Sequence, residues 1–220
     1  MAATIPLSQL DHIKEVLEKK HFKEIVYQTY DKYFKHGSRS SKKVDYFHSS
    51  IKRILEQHFS RENGFDIKLE YNIRACNSSG KKKCDIVILK NNNPYIIFPV
   101  KIIMTNYKQN KNNSWENLTG ELMHIKWVNP NLNIIPINIF MDKTPYLTNN
   151  KKIKKFENVL TSDIENYNYL IENNICYDVI NYIVEVEHIN EIGQGFADIQ
   201  PIKKFITPYR PFSSILSELL

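Results

Sequence analysis

The chain has 220 residues and a formal net charge of +6, with 30 Lys and Arg against 24 Asp and Glu. Hydrophobic residues make up 42% and charged residues 25%, which is ordinary globular usage and excludes a chain that is disordered throughout. At this length one domain can bury a core without disulfides, so we expect a single domain over residues 1–220. The positive charge is compatible with a polyanionic partner.

Several protein classes are excluded by features that the sequence lacks. The three cysteines, Cys76, Cys84 and Cys176, are too scattered for a disulfide framework and predict reduced thiols in a cytoplasmic protein. No apolar run approaches the length of a membrane span, so we expect no membrane partner. The histidines lack the spacing of a zinc site, and the common nucleotide-binding loops and the nucleophile turn of α/β-hydrolases are missing.

Two amphipathic helices are predicted near the N-terminus. Apolar side chains recur with a helical period over residues 8–35, and Gly37 is a typical stop signal. A second helix is predicted from Ser40 or Ser41 to about Phe59, with its apolar side chains on one face.

The period then changes to that of β-strands. Residues 67–73 alternate apolar and polar side chains, which predicts a half-buried strand. The runs 84–89 and 95–104 are rich in Ile and are separated by turn residues. We therefore predict three antiparallel strands in succession.

The rest of the chain is predicted to combine helices, a strand and loops. A polar loop at 105–113 precedes a helix at 114–127 with Ser114 as its cap, and a strand follows at 132–141. Residues 156–186 are expected to be helical, and the last thirty residues to form a loop and a short helix. The fold class is therefore predicted to be α/β, with the element order α-β-β-β-α-β and extra helices at both ends.

Two charged residues interrupt the apolar strands. Asp85 heads the run Asp-Ile-Val-Ile-Leu, and Lys101 lies inside Ile-Ile-Phe-Pro-Val-Lys-Ile-Ile-Met. A buried charge is costly without a partner, so the two residues form either a structural ion pair or part of a functional site. Metal-dependent phosphodiester hydrolysis uses such groups, because carboxylates bind Mg²⁺ and a lysine stabilises the developing negative charge.

The strand order, Asp85 and the segment Phe98-Pro-Val-Lys101 resemble the PD-(D/E)xK restriction-endonuclease-like superfamily. The resemblance covers about residues 40–142 and implies a restriction-endonuclease-like core, a mixed sheet flanked by helices. It divides the chain into a helical extension at 1–39, a catalytic core at 40–142 and a C-terminal helical and loop region at 143–220. It also implies that Asp85 binds Mg²⁺ and that Lys101 assists the attacking water.

The chain departs from the family pattern at Pro99, where a second carboxylate is usual. Some type II restriction endonucleases of the superfamily relocate this carboxylate to the helix after the lysine strand. Glu116 lies fifteen residues after Lys101, close to the relocated spacing, and Glu121 is offset from it by about 140° on a helical wheel. We favour Glu116 as a catalytic and metal-binding residue, with Glu121 as the alternative metal ligand.

The superfamily also places an acidic residue on the helix before the strands. Glu56 is the candidate for this supporting catalytic role, and Glu70 on the first strand is the alternative. An ordinary solvated charge explains either residue as well, and the position of Glu70 on the polar side of an alternating strand favours that explanation.

The polar segment Thr105–Asn113 suits contacts with DNA. Lysines contact phosphates, and Asn and Gln can form paired hydrogen bonds with adenine in the major groove. An ordinary polar loop is the alternative. The candidate DNA-binding residues are Lys108, Gln109, Asn110, Lys111, Asn112 and Asn113.

We therefore expect a Mg²⁺-dependent DNA endonuclease, specifically a type II restriction endonuclease that cuts a short site in double-stranded DNA as a homodimer. One alternative is a catalytically inactive nuclease-like module that binds DNA, which the proline at position 99 favours. The other is a repair, junction-resolving or RNA nuclease of the same superfamily.

Overall fold

The computed structural model describes residues 7–37 and 40–220 and shows an α/β fold in which a mixed sheet is flanked by helices. The helices are α1 (Leu7–His36), α2 (Lys42–Leu55), α3 (Tyr107–Lys126), α4 (Asn168–Glu172) and α5 (Phe212–Leu216). The strands are β1 (Phe65–Arg74), β2 (Lys81–Lys90), β3 (Asn93–Phe98), β4 (Val100–Ile103), β5 (Asn133–Ile134), β6 (Ile137–Met141), β7 (Lys143–Leu147), β8 (Ile153–Asn158) and β9 (Ile180–Val184).

The three antiparallel strands predicted from the sequence are confirmed. Strand β2 pairs antiparallel with β1 on one side and with β3 on the other. Strand β5 runs parallel to β3, while β6 lies between β4 and β9 and is parallel to both. The four-stranded sheet β1-β2-β3-β5 is therefore mixed, and the three-stranded sheet β4-β6-β9 is parallel throughout.

The predicted strand over residues 95–104 is divided into β3 and β4 at Pro99. Proline has no N–H to donate to a ladder, so regular pairing stops there. Its carbonyl still accepts a hydrogen bond from Ile137 N at 2.8 Å, and Ile135 N donates to Ile97 O at 2.9 Å. These bonds hold the β3–β4 chain and the β5–β6 chain side by side across the break.

Each face of the sheet has its own hydrophobic core. One contains Phe22 of α1, Ile51 of α2 and Phe212 of α5, all fully buried. The other is covered by α3 through Leu118 and Leu122. Successive residues of β2 and β3 alternate between the two cores, as the two-residue period of a strand requires.

The predicted polar loop at 105–113 is wrong, because α3 begins at Tyr107 and the candidate DNA-binding residues occupy its first two turns. The N–H of Lys108 donates to Glu157 Oε2 at 3.0 Å, and the carboxylate of Glu157 is almost fully buried. A carboxylate at the first turn of a helix satisfies a free N–H and complements the helix dipole. This contact from a distant strand starts the helix before Ser114.

The expected helix at 156–186 is also wrong. Strand β8 runs to Asn158, the helical part is short, and β9 closes the parallel half of the sheet. A parallel strand buried on both faces lacks polar alternation, which is why its pattern is easily mistaken for that of a buried helix. The C-terminal region therefore supplies a sheet strand as well as helices and loops. Among the described residues, no helix is both long and apolar enough to cross a bilayer.

Replacing Phe22 with Ala tests whether α1 belongs to the core. The Phe22 ring lies 5.1–6.2 Å, between centroids, from the rings of five other aromatic residues, which come from α2, β9 and the C-terminal segment. We expect Phe22→Ala to lower the free energy of unfolding by about 3–5 kcal/mol in a denaturant titration. Leu17→Ala on the same helix, at an exposed position, should change it by less than about 0.5 kcal/mol. If both variants change the free energy of unfolding equally little, α1 does not belong to the core.

Candidate metal centre

The ladder between β1 and β2 is interrupted at one position. Leu69 pairs with Ile86 and Tyr71 pairs with Cys84, but Glu70 and Asp85, which stand between those pairs, do not join the ladder. Glu70 has a backbone φ of 51°, in the left-handed region. For a residue other than glycine this conformation costs of order 1–3 kcal/mol and is concentrated at functional sites.

The interruption reverses which face of the sheet the side chains occupy. Before it, Ile67 of β1 belongs to the core under α1 and α2. After it, Ile73 belongs to the core under α3, although both have odd numbers. On β2, Ile86 and Cys84 show the same change. Glu70 and Asp85 therefore lie where the hairpin crosses from one core to the other.

Asp85 is fixed by the break at Pro99. Its Oδ2 accepts a hydrogen bond from the N–H of Val100 at 2.7 Å, directly after the proline. Burial raises the pKa of the Asp85 carboxyl above its ordinary value, and the Val100 hydrogen bond, His48 and Lys101 oppose that rise. The hydrogen bond orients the carboxylate rigidly against the sheet.

His48, Glu70 and Asp85 converge. Each offers one ligand atom, and these three atoms lie within 4.8 Å of one another. Within residues 7–37 and 40–220 this is the one set of three or more such side chains that could hold a metal ion. The His48 side chain is only 2% exposed and its Nδ1 lies 3.3 Å from Glu70 Oε1. Its Nε2 is buried without a hydrogen-bond partner.

This geometry fits a divalent cation. Two carboxylates supply hard oxygen ligands of the kind that Mg²⁺ and Mn²⁺ prefer, and an imidazole nitrogen is a ligand for transition metals. Nδ1 is the imidazole nitrogen that lies beside Glu70, so it is the one placed to bind a cation. Asp85 was expected as a metal ligand, and the structure brings it together with His48 and Glu70.

Lysines surround the carboxylates. Lys101 Nζ lies 3.6 Å from Glu121 Oε2, and Lys82 Nζ lies 2.9 Å from Glu121 Oε1. Lys83 Nζ lies 3.0 Å from Glu70 Oε2. A cavity of about 130 Å³ is bordered by Asp85, Lys101 and Glu121. The cavity lies on the Lys101 side of Asp85 and is not lined by His48 or Glu70, so it adjoins the three ligand atoms and does not enclose them.

The other predicted site residues lie elsewhere. Glu116 is exposed, and no ion pair joins it to a lysine among the described residues. Glu56 follows the end of α2, and its Oε1 lies 3.7 Å from Lys52 Nζ. Neither belongs to the metal-ligand set. The geometry thus favours the two alternatives, Glu121 beside Lys101 and Glu70 beside Asp85.

The candidate DNA-binding residues form an exposed surface at the start of α3, with one exception. Lys108, Gln109, Asn110, Asn112 and Asn113 are exposed. Lys111 is partly buried and its Nζ lies 2.6 Å from Asp163 Oδ1, so its charge is already compensated. The surface therefore holds more amides than free cations.

His48 was not among the site residues predicted from the sequence. A search for pairs of histidines at ligand spacing finds nothing here, because the other ligands are carboxylates on two strands. The available signal was its position on α2: it stands four residues after Val44 and three before Ile51, on the apolar face of the helix. A polar side chain on a buried helix face needs a partner and is therefore a candidate ligand.

No protein-family model, no curated protein and no solved structure matches the chain significantly. The resemblance to the PD-(D/E)xK superfamily therefore rests on the chain's own residues. These are Asp85, Lys101 and the strands that carry them.

The raised pKa of Asp85 predicts a pH-dependent stability difference in metal-free buffer. A carboxyl that is harder to ionise in the folded state stabilises the fold at low pH, and this contribution is lost as pH rises through the folded-state pKa. Asp85→Asn keeps an oxygen that can accept from Val100 but cannot ionise. We expect the variant to gain stability relative to the unmodified protein as pH rises above the ordinary pKa of an aspartate, about 3.9, measured by denaturant unfolding in EDTA. A difference that is constant or shrinks with pH would contradict the assigned environment.

Proposed function

We propose that this chain is a divalent-metal-dependent DNA endonuclease with a restriction-endonuclease-like core. The observation that carries the proposal is the convergence of His48, Glu70 and Asp85 next to Lys101. The His48 imidazole is buried and Asp85 is half-buried, and burying such polar groups is unfavourable for stability alone, while Glu70 is exposed and open to a ligand from solvent. Phosphodiester hydrolysis uses all of these groups.

The arrangement of elements supports the core. Helix α2 precedes the antiparallel strands β1, β2 and β3, and α3 then leads to β5 and β6, which run parallel to β3 and β4. This is the α-β-β-β-α-β order expected from the resemblance. Asp85 lies on β2 and Lys101 on β4, which continues the predicted third strand beyond Pro99, and this agrees with the superfamily pattern.

His48, Glu70 and Asp85 would hold the cation. Glu70 supplies the carboxylate that Pro99 cannot, so the proline does not by itself imply an inactive site. We infer Mg²⁺ or Mn²⁺, with Mn²⁺ favoured by the imidazole nitrogen. A bound cation supplies Lewis acidity, which polarises a phosphoryl oxygen and makes a water molecule easier to deprotonate.

Lys101 would act directly on the reacting groups. Its ammonium group can orient the attacking water and stabilise the charge that develops on the phosphate. Glu121 is a positioning residue, because it contacts the Lys101 ammonium and fixes where that group lies. Lys82 and Lys83, on the same strand as Asp85, add positive charge where the phosphate would approach.

A type II restriction endonuclease acting as a homodimer remains the specific form of this proposal. A two-fold symmetric protein matches a two-fold symmetric DNA site, and each copy would cut one strand. The repair and RNA nucleases of the superfamily share the chemistry, and they differ from this form in the substrate that is cut.

A pair of Glu→Gln variants tests the site. We expect Glu70→Gln to reduce metal-dependent cleavage of phage DNA at least about a hundredfold, because it removes a ligand charge while keeping the side-chain size. Lys101→Ala should have a similar effect. Glu116→Gln is the matched control and should cleave at the unmodified rate. The measurement is the initial rate of cleavage in Mg²⁺ and in Mn²⁺, with EDTA as the blank.

The contrary outcomes are distinct. If Glu116→Gln is inactive and Glu70→Gln is active, the second carboxylate is the relocated one and the assignment of Glu70 is wrong. If the unmodified protein binds DNA without cutting it in either metal, the chain is the inactive binding module and the proposed activity is wrong.

A further inference from the structure

The hairpin of β7 and β8 carries much of the chain's excess positive charge. Residues 143–158 contain five lysines and one glutamate, a net charge of +4 where the whole chain has +6. The two strands pair antiparallel from Lys143 with Asn158 to Leu147 with Ile153. They form a separate two-stranded ribbon outside the main sheet.

Most of these lysines are exposed and uncompensated. Lys151, Lys152 and Lys154 are exposed, and no ion pair joins them to a carboxylate in the part of the chain that the structure describes. Lys155 differs, since its Nζ lies 3.2 Å from Oε1 of the buried Glu157. Three of the five lysines therefore present free charge close to the turn of the ribbon.

The turn itself is tight and strained. Lys151 N donates to Thr148 O at 2.9 Å, and Thr148 N donates to Lys152 O at 2.9 Å. Lys151 has a φ of 58°, in the left-handed region, where glycine or asparagine is the low-cost choice. The chain thus places a lysine at the tip at some cost to stability. Asn149 and Asn150 complete an exposed polar tip.

The ribbon adjoins the start of α3. Asn106 Oδ1 accepts from Leu147 N at 2.9 Å, and Asn106 N donates to Pro145 O at 3.0 Å. These bonds join the tip half of β7 to Asn106, directly before α3, while Glu157 of β8, which pairs with Thr144 toward the open end of the ribbon, accepts from the N–H of Lys108. Along α3, the thirteen residues from Lys108 to Glu121 span about 20 Å. The ribbon is therefore tied to the helix whose other end contacts Lys101.

We propose that the tip of the β7–β8 ribbon, with the first two turns of α3, binds double-stranded DNA and holds it across the metal centre. This rests on the proposed endonuclease function and identifies the surface that contacts the duplex away from the site of cleavage. The major groove admits a two-stranded β-ribbon. Lys151, Lys152 and Lys154 contact phosphates, and Asn149 and Asn150 face base edges.

DNA fits this surface better than an anionic membrane does. A membrane-binding hairpin would expose large apolar side chains at its tip, whereas no exposed large hydrophobic residue lies within residues 143–158. The opposite end of the ribbon borders a cavity of about 710 Å³ lined by Asp142, Glu185 and Glu187, among others. Glu185 and Glu187 are paired with Lys204 and Lys203 there, so that end offers less free positive charge to a phosphate than the tip does.

The test removes two charges without disturbing the fold. Lys151→Asn puts a residue that tolerates the left-handed conformation at the tip, and Lys154→Gln keeps much of the side-chain length. The control is Lys203→Gln with Lys204→Gln, which removes the same charge from two exposed lysines that pair with Glu187 and Glu185. Binding to a duplex of about three helical turns is measured by fluorescence anisotropy in EDTA at several salt concentrations.

The salt dependence gives the readout. Each lost phosphate contact makes the slope of log affinity against log salt shallower by about 0.9. The slope of the ribbon double variant should therefore be shallower than that of the unmodified protein by about 1.8. The control should keep the unmodified slope, and thermal unfolding should show the ribbon variant as stable as the parent.

Three results would overturn the proposal. If the unmodified protein binds DNA and the ribbon variant keeps its slope, the ribbon is not the contact surface, while the endonuclease function stands. If the unmodified protein neither binds nor cuts DNA, the endonuclease function itself fails. Loss of binding to vesicles of phosphatidylserine and phosphatidylcholine in the ribbon variant, with DNA binding unchanged, would identify a membrane surface.

Discussion

The interruption of the β1–β2 ladder at Glu70 and Asp85 is the constraint on which the candidate site depends. A regular ladder would keep the side chains of each strand on fixed faces. With Glu70 in the left-handed conformation, the hairpin changes faces at this point and the two carboxylates lie between the cores. The neighbouring break at Pro99 leaves the N–H of Val100 free to hold Asp85. Two local irregularities in one sheet thus position the carboxylates beside His48.

Charge balance explains why such a site can persist in a folded chain. Two carboxylates and a buried imidazole close together would repel or remain unsatisfied without compensation. Lys83 contacts Glu70, while Lys82 and Lys101 share Glu121. The lysines stabilise the protein without a cation and also form the positive surface that a phosphate requires. The same lysines therefore contribute to stability and to the proposed chemistry.

The sequence predicted the parts of the structure that depend on local pattern. Asp85 and Lys101 were visible as charges in apolar strands, and the three antiparallel strands followed from their period and turns. The early start of α3 was not visible, because it depends on Glu157, which is 49 residues from Lys108 along the chain. Glu70 was expected on the polar face and its side chain is 43% exposed, but no residue pattern reveals a left-handed φ at a glutamate. His48 could be recognised as a ligand only from the strands that α2 covers.

The most direct test of the account is to locate the metal. Crystals of the protein soaked in Mn²⁺ would give an anomalous difference peak wherever that cation binds. We expect one strong peak between His48, Glu70 and Asp85, at about 2.0–2.3 Å from the carboxylate oxygens. A peak between Asp85 and a carboxylate of α3, or the absence of any peak at Asp85 under saturating Mn²⁺, would contradict it.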